Sequence, residues 1–126
     1  MLLRHAGLTC SSEENSDKFY KDLLGLKKSE PKILPSGLSK AIFNLDAELQ
    51  MINYVDDNIH FEIFIANQFN TPQDRIDHLC LEVDDLAGFI EQCRRMSVEV
   101  NLIPKGQNTL TFIKDFDGNL FEIKKP

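Results

Sequence analysis

Three histidines and three glutamates carry the chemistry this sequence could do. His5, His60 and His78 are all the histidines in the chain. Glu62, Glu82 and Glu122 stand in runs that alternate polar with apolar: His60-Phe61-Glu62-Ile63, His78-Leu79-Cys80-Leu81-Glu82 and Phe121-Glu122-Ile123. Extended chains point successive side chains to opposite faces. The apolar members then share the packing face, and all three histidines and these three glutamates share the other. Imidazole nitrogen and carboxylate oxygen suit Zn²⁺, Ni²⁺, Fe²⁺ or Mn²⁺. Two His and two Glu on neighbouring strands would leave a position open for water or substrate. The plainer alternative is the wet side of an amphipathic sheet, and Glu82 and His60 are left with it. His5, Glu62, His78 and Glu122 are set apart by a repeat.

The elements that must position these residues can be read outward from them. Residues 2–10 form a strand carrying His5. Ser11 and Glu14 have capping-box spacing, and Ser16, Phe19, Tyr20, Leu23 and Leu24 share the face of the helix that follows. Gly25 ends that helix. Residues 26–33 are extended, with Pro31 marking an edge or bend. Residues 37–45 make a short helix, through Leu38, Ile42 and Leu45. Residues 48–55 and 59–66 pair as a hairpin across Asp56-Asp57-Asn58. A polar linker at 67–75 contains Thr71-Pro72. The second half has a strand at 76–83 and a helix capped by Asp84 or Asp85. The apolar stripe of that helix is Leu86, Phe89, Ile90, Cys93 and Met96. Strands at 98–103, 109–114 and 120–124 complete it.

The order β-α-β-(short α)-β-β followed by β-α-β-β-β is an internal repeat. His5 and His78 sit in the first strand of each half. Phe61-Glu62-Ile63 recurs as Phe121-Glu122-Ile123 in the last. The longer His-to-Glu interval in the first half is accounted for by its extra helix. The expected class is α+β: a single domain of two modules, 1–66 and 76–126. With helices on one face of a curled sheet, the other face becomes a cleft lined by His and Glu. Phe64, Ile113 and Tyr54 are candidates to line it for an apolar ligand. Cys80 faces it too, without a nucleophile motif around it. Cys10 and Cys93 are expected on the helix side.

Composition narrows the function. The chain has 126 residues, 42% hydrophobic and 27% charged, which suits one ordinary globular domain. Two separate cores are disfavoured, because each half would lie near the lower size limit for one. A net charge of −6 and a pI of about 5.0 argue against a nucleic-acid partner. No apolar run approaches the roughly 18 residues that span a bilayer. Met1-Leu2-Leu3-Arg4-His5 lacks the pattern of a signal peptide. Three cysteines with no C-x-x-C pair suit a reduced, cytoplasmic protein.

Four stretches point to a family. They are His5-Ala6-Gly7-Leu8 with Phe19-Tyr20-Lys21-Asp22-Leu23-Leu24-Gly25; Phe61-Glu62-Ile63-Phe64; His78-Leu79-Cys80-Leu81-Glu82-Val83-Asp84-Asp85; and Phe112-Ile113-Lys114-Asp115-Phe116-Asp117-Gly118-Asn119-Leu120-Phe121-Glu122. With them the sequence resembles the vicinal oxygen chelate superfamily over nearly its whole length. That superfamily includes glyoxalase I, bleomycin-resistance proteins, methylmalonyl-CoA epimerase and extradiol dioxygenases. The resemblance implies two βαβββ modules forming a curled mixed sheet around a divalent metal, with helices outside.

By resemblance, the metal ligands are His5, Glu62, His78 and Glu122. A His/Glu/His/Glu set is similar to that of glyoxalase I. Extradiol dioxygenases generally use two His and one Glu and leave the position of Glu62 out. The implied reaction is that of a lyase or isomerase, of lactoylglutathione-lyase or epimerase type. It moves a proton beside a carbonyl, with a metal-stabilised enediolate. Glu122 is the first choice of base, and Glu62 is a ligand or second base. The alternatives are a metal-dependent dioxygenase or thiol transferase, and a bleomycin-resistance-type binder. The family's Arg and Asn grips on glutathione fall at Thr9 and Ala66, a departure from the glyoxalase I pattern. Arg4, Asn67 and Arg75 are the nearby substitutes. The implied partners are a small molecule and a second copy in a homodimer. The helix at 37–45 is placed to shape the pocket or the dimer contact.

Overall fold

A computed structural model describes residues 3–66 and 77–126. The expected linker at 67–75, with Asn67 and Arg75, lies outside the described residues, as do Leu2 and Ile76 at the starts of two expected strands. The class is α+β, with two mixed sheets. The chain divides into two compact units, Met1–Phe69 and Asn70–Pro126. Among the described residues no helix is long and apolar enough to cross a membrane.

The first unit opens with β1 (Ala6–Cys10). A helical turn, α1 (Glu13–Ser16), runs on into a π-helix, Asp17–Leu23. Ser12, not Ser11, caps α1, accepting a 3.1 Å hydrogen bond from the Asn15 N–H. Ser12 is extended, as a cap must be. Glu14, the other half of the expected box, points to solvent and pairs with Lys18. In the π-helix the N–H of Leu24 reaches the carbonyl of Phe19, five residues back. The widened turn brings Phe19, Tyr20 and Leu23 together onto the sheet, where all three are buried. Gly25 ends the segment at φ +72°, as expected.

The extended segment around Pro31 is two strands: β2 (Lys27–Lys28) and β3 (Lys32–Leu34). Both pair antiparallel with β4 (Leu49–Val55), at its two ends. Proline has no N–H to give the ladder, so pairing lapses around it. Between β3 and β4 lies α2 (Ser36–Phe43), closed by Asn44 in the left-handed region at φ 58°. β5 (His60–Ile65) returns antiparallel to β4 and pairs parallel with β1. Spatial order is β1-β5-β4-β2.

The second unit repeats the plan without the extra helix. β6 (Leu79–Glu82), α3 (Leu86–Arg95), β7 (Glu99–Lys105), β8 (Asn108–Lys114) and β9 (Leu120–Lys124) follow in sequence. Spatial order is β6-β9-β8-β7, with β6 parallel to β9. Asp85 caps α3 through the Gly88 N–H at 3.0 Å. Burial of Cys93 on α3 pushes its thiol up to about 11.

The cores lie on the helix side. In the first unit, Phe61, Ile63, Ile52 and Tyr54 are buried against Phe19, Tyr20 and Leu23. The Tyr20 ring stands 5.5 Å from Tyr54 and 5.4 Å from Phe61. In the second, Ile113, Phe121 and Ile123 are buried. Tyr54 and Ile113 therefore pack in the cores and do not line the His/Glu face. Their cross-strand partners, Phe61 and Phe121, are core residues. The Tyr54 hydroxyl is satisfied there by Asp17 at 2.8 Å.

Candidate metal centre

Register places the candidate ligands. In the first unit the parallel β1–β5 pair sets Ala6 opposite Phe61 and Gly7 opposite Glu62. In the second, β6–β9 sets Leu79 opposite Phe121 and Cys80 opposite Glu122. His5 and His78 each stand one residue before the first paired position. Each histidine thus lies two residues before the partner of its glutamate, on the same face of its sheet.

The side chains meet accordingly. His5 Nε2 lies 3.3 Å from Glu62 Oε2. His78 Nε2 lies 3.9 Å from Glu122 Oε2. The imidazoles sit at the sheet edge and are nearly half exposed, 47% and 44%. The carboxylates sit on inner strands and are sunk to 22% and 14%. Tight turns hold those strands in place. Asp56 Oδ1 accepts the N–H groups of Asn58 and Ile59 just before β5. Asp115 Oδ1 accepts those of Asp117 and Asn119 just before β9, around Gly118 at φ +87°.

Each pair suits a divalent cation in the chemistry of its donors. A neutral imidazole offers a lone pair, and a carboxylate offers oxygen and charge. Two ligand atoms about 2.1 Å from one tetrahedral ion stand roughly 3.4 Å apart. The His5–Glu62 separation of 3.3 Å is close to that value, and the His78–Glu122 separation of 3.9 Å is about half an ångström wider. Each unit brings its own two predicted ligands together.

Three neighbours are not among the site residues chosen from the sequence, though its alternation places His60 on this face. His60 sits two residues before Glu62 on β5, with its Nε2 2.8 Å from Asn53 Oδ1 and its ring 5.5 Å from that of His5. Its equivalent in the second unit is Leu120, so the repeat could not flag it. The His–Glu spacing of two along one strand was the available signal. Phe112, opposite Glu122, holds its ring 5.8 Å from that of His78. Lys124 Nζ lies 3.4 Å from Glu122 Oε1. Cys80 is exposed on the face of His78 and Glu122, while Cys10 and Cys93 are buried.

Comparison with known proteins bears on the family and the fold. Residues 2–123 match the family model described as Glyoxalase/Bleomycin resistance protein/Dioxygenase superfamily. No curated protein sequence matches the chain. Among solved structures, a glyoxalase family protein from Enterococcus faecalis is similar at TM-score 0.76 and 20% identity, covering 97% of this chain and 95% of that one. A point mutant of the fosfomycin resistance protein FosX from Listeria monocytogenes, complexed with Mn(II) and 1S,2S-dihydroxypropylphosphonic acid, is similar at TM-score 0.72 and 14% identity, covering 97% and 90%. Glyoxalase I of Leishmania major, described as trypanothione-dependent, is similar at TM-score 0.68 and 18% identity, covering 96% and 84%. At these identities the likeness is one of fold.

Proposed function

The chain belongs to the Glyoxalase/Bleomycin resistance protein/Dioxygenase superfamily, and within it we propose a metal-dependent lyase or isomerase that moves a proton beside a carbonyl. The observation that carries this reading is the register-matched His–Glu pair in each unit. His5, Glu62, His78 and Glu122 are the proposed ligands of one divalent ion, Ni, Zn, Mn or Fe, from one chain or from two copies of it. The Mn(II) of the FosX complex supports a divalent ion on this fold. When bound, the ion stabilises negative charge developing on two neighbouring substrate oxygens.

The rest is done by the chain's own side chains. His5 and His78 present Nε2. Glu122, the more sunken carboxylate, is the proposed proton carrier, and Glu62 is the ligand or second base. Cytoplasmic location is part of the proposal, supported by three free thiols and by a charge balance suited to solubility; a homodimer is part of it as the family resemblance implies. The two units are proposed to act as one domain.

Metal analysis of the purified protein tests this. Close to one equivalent of bound transition metal is expected. Less than about a tenth of an equivalent, unrestored by added Ni²⁺, Zn²⁺ or Mn²⁺, sinks the reading. A second reading, a metal-dependent transferase or dioxygenase or a resistance protein for a small molecule, draws on the FosX likeness. Activity retained in Glu62→Gln would favour the three-ligand chemistry of a dioxygenase or transferase.

A further inference from the structure

Helix α2 is tied to the face that bears Glu62, the face opposite the core. Phe43, its last residue, has its ring 5.2 Å from that of Phe64, edge on at 69°. Phe64 is two residues past Glu62 on the same face of β5, about 7 Å along the strand. Its ring leans over β1. A Cβ at Gly7 would come within 3.3 Å of Phe64 Cε2, and Gly7 is the residue opposite Glu62. A glycine there lets an aromatic ring lie beside the His5–Glu62 pair.

Apolar rings therefore stand beside the polar pair, and the helix that supplies one of them carries further exposed apolar side chains. Phe43, Ile42 and Leu38 are 44%, 60% and 51% exposed. They are not spent on a core, since the one buried residue of α2 is Ser39, whose hydroxyl has no partner among the described residues. Large apolar side chains left open mark protein contacts or ligand grooves, and those beside convergent polar groups suit a ligand subsite. The repeat does not impose this surface. The residue two past Glu122 is Lys124, and α2 has no counterpart in the second unit.

We propose that Phe64 and Phe43, extended by Ile42, form an apolar subsite beside His5 and Glu62. The substrate is then an amphipathic small molecule, two neighbouring oxygens joined to an aromatic or branched aliphatic group. This rests on the metal-dependent reading above and adds the substrate class to it.

Two hydroxamates serve as probes, because each presents two neighbouring oxygens to a metal. Acetohydroxamate carries a methyl group and benzohydroxamate a phenyl. On Ni²⁺-loaded protein, benzohydroxamate is expected to bind at least about 10-fold tighter by calorimetry. At equal metal content, Phe43→Ala and, separately, Ile42→Ser should each narrow that ratio, Phe43→Ala to below about 3-fold. Equal affinities in the unsubstituted protein, or a ratio unmoved by both substitutions, overturn the subsite and leave the metal reading standing. A dimer that Phe43→Ala dissociates with the ratio unmoved assigns the face to a second copy and also overturns it. Failure to load metal at all removes the metal-dependent reading, and the subsite with it.

Discussion

A histidine and a glutamate at the spacing of His5 and Glu62 can satisfy each other, or can turn together to a third, positive partner. The same holds for His78 and Glu122. A cation held between both groups uses the lone pairs of each, so removing either member should weaken it. His5→Ala, His78→Ala, Glu62→Gln and Glu122→Gln are each expected to lower Ni²⁺ affinity by at least about 10-fold, read by calorimetry. Lys124→Met should act with the opposite sign, because an ammonium 3.4 Å from Glu122 competes for the carboxylate. Its head is well exposed, so the gain should be small, about 2- to 5-fold. Glu82→Gln is the control, with no expected change. His60 is a fixed neighbour of a different kind. An amide oxygen at its Nε2 requires that nitrogen to carry the hydrogen, which locks the ring beside His5.

At the scale of elements, the π-helix is held to its sheet by a polar network. Lys28 of β2 donates to Glu13 and to Asp17. Tyr54 of β4 donates to Asp17 at 2.8 Å, and Gln50 to Glu13 at 3.2 Å. The Lys28 hydrogen bond lowers the Glu13 carboxyl below its usual 4.5. At Asp17 burial is the largest single influence and pushes upward, but the Lys28 and Tyr54 hydrogen bonds together outweigh it and the group ends below 3.8. Burial, then the Asp17 hydrogen bond, pushes the Tyr54 phenol far up. A carboxylate with a lowered folded pKa stabilises the fold above its unfolded value and ceases to as pH falls through its folded value. The network should therefore be intact at neutral pH and fade below about pH 4.5. Glu13→Gln should flatten the fall in Tm between about pH 5 and pH 3. Tyr54→Phe should cost about 1–2 kcal/mol in urea unfolding at pH 7, by leaving Asp17 short of a donor.

This network also marks where the sequence stops being legible. Period-two alternation locates Glu62 and Glu122, because Phe61, Ile63, Phe121 and Ile123 beside them admit one buried face. It mislocates Tyr54 and Ile113 only when the face is chosen by side-chain character, since Ile52 and Phe121 fix the core side in the ladder. The partner that makes a buried phenol tolerable comes from a helix distant in sequence, which no local pattern reveals. Pro31 announced a break but not that both flanking pieces stay on β4. Helix α2 was legible in extent but not in which face of the sheet it meets. That follows from one aromatic contact, Phe43 on Phe64.

For the whole molecule, the repeat has a thermodynamic consequence. Among the described residues each unit has its own sheet and its own His–Glu pair, and an ion held by these pairs, as proposed, would bind the native state only. Binding of that kind stabilises by mass action, by about 2.7 kcal/mol when free metal is 100 times its Kd. Ni²⁺ or Mn²⁺ should therefore raise Tm with logarithmic dependence on concentration, and a chelator should reverse the rise. If one ion takes ligands from both units, a substitution in either should abolish the shift for the whole protein. Glu62→Gln and Glu122→Gln would then each lose most of it, and the double variant would lose scarcely more. If each pair binds its own ion independently, each single variant would keep roughly half the shift and the double variant none. Differential scanning calorimetry of the three variants, with and without metal, separates these outcomes. Strongly non-additive loss is the expected result.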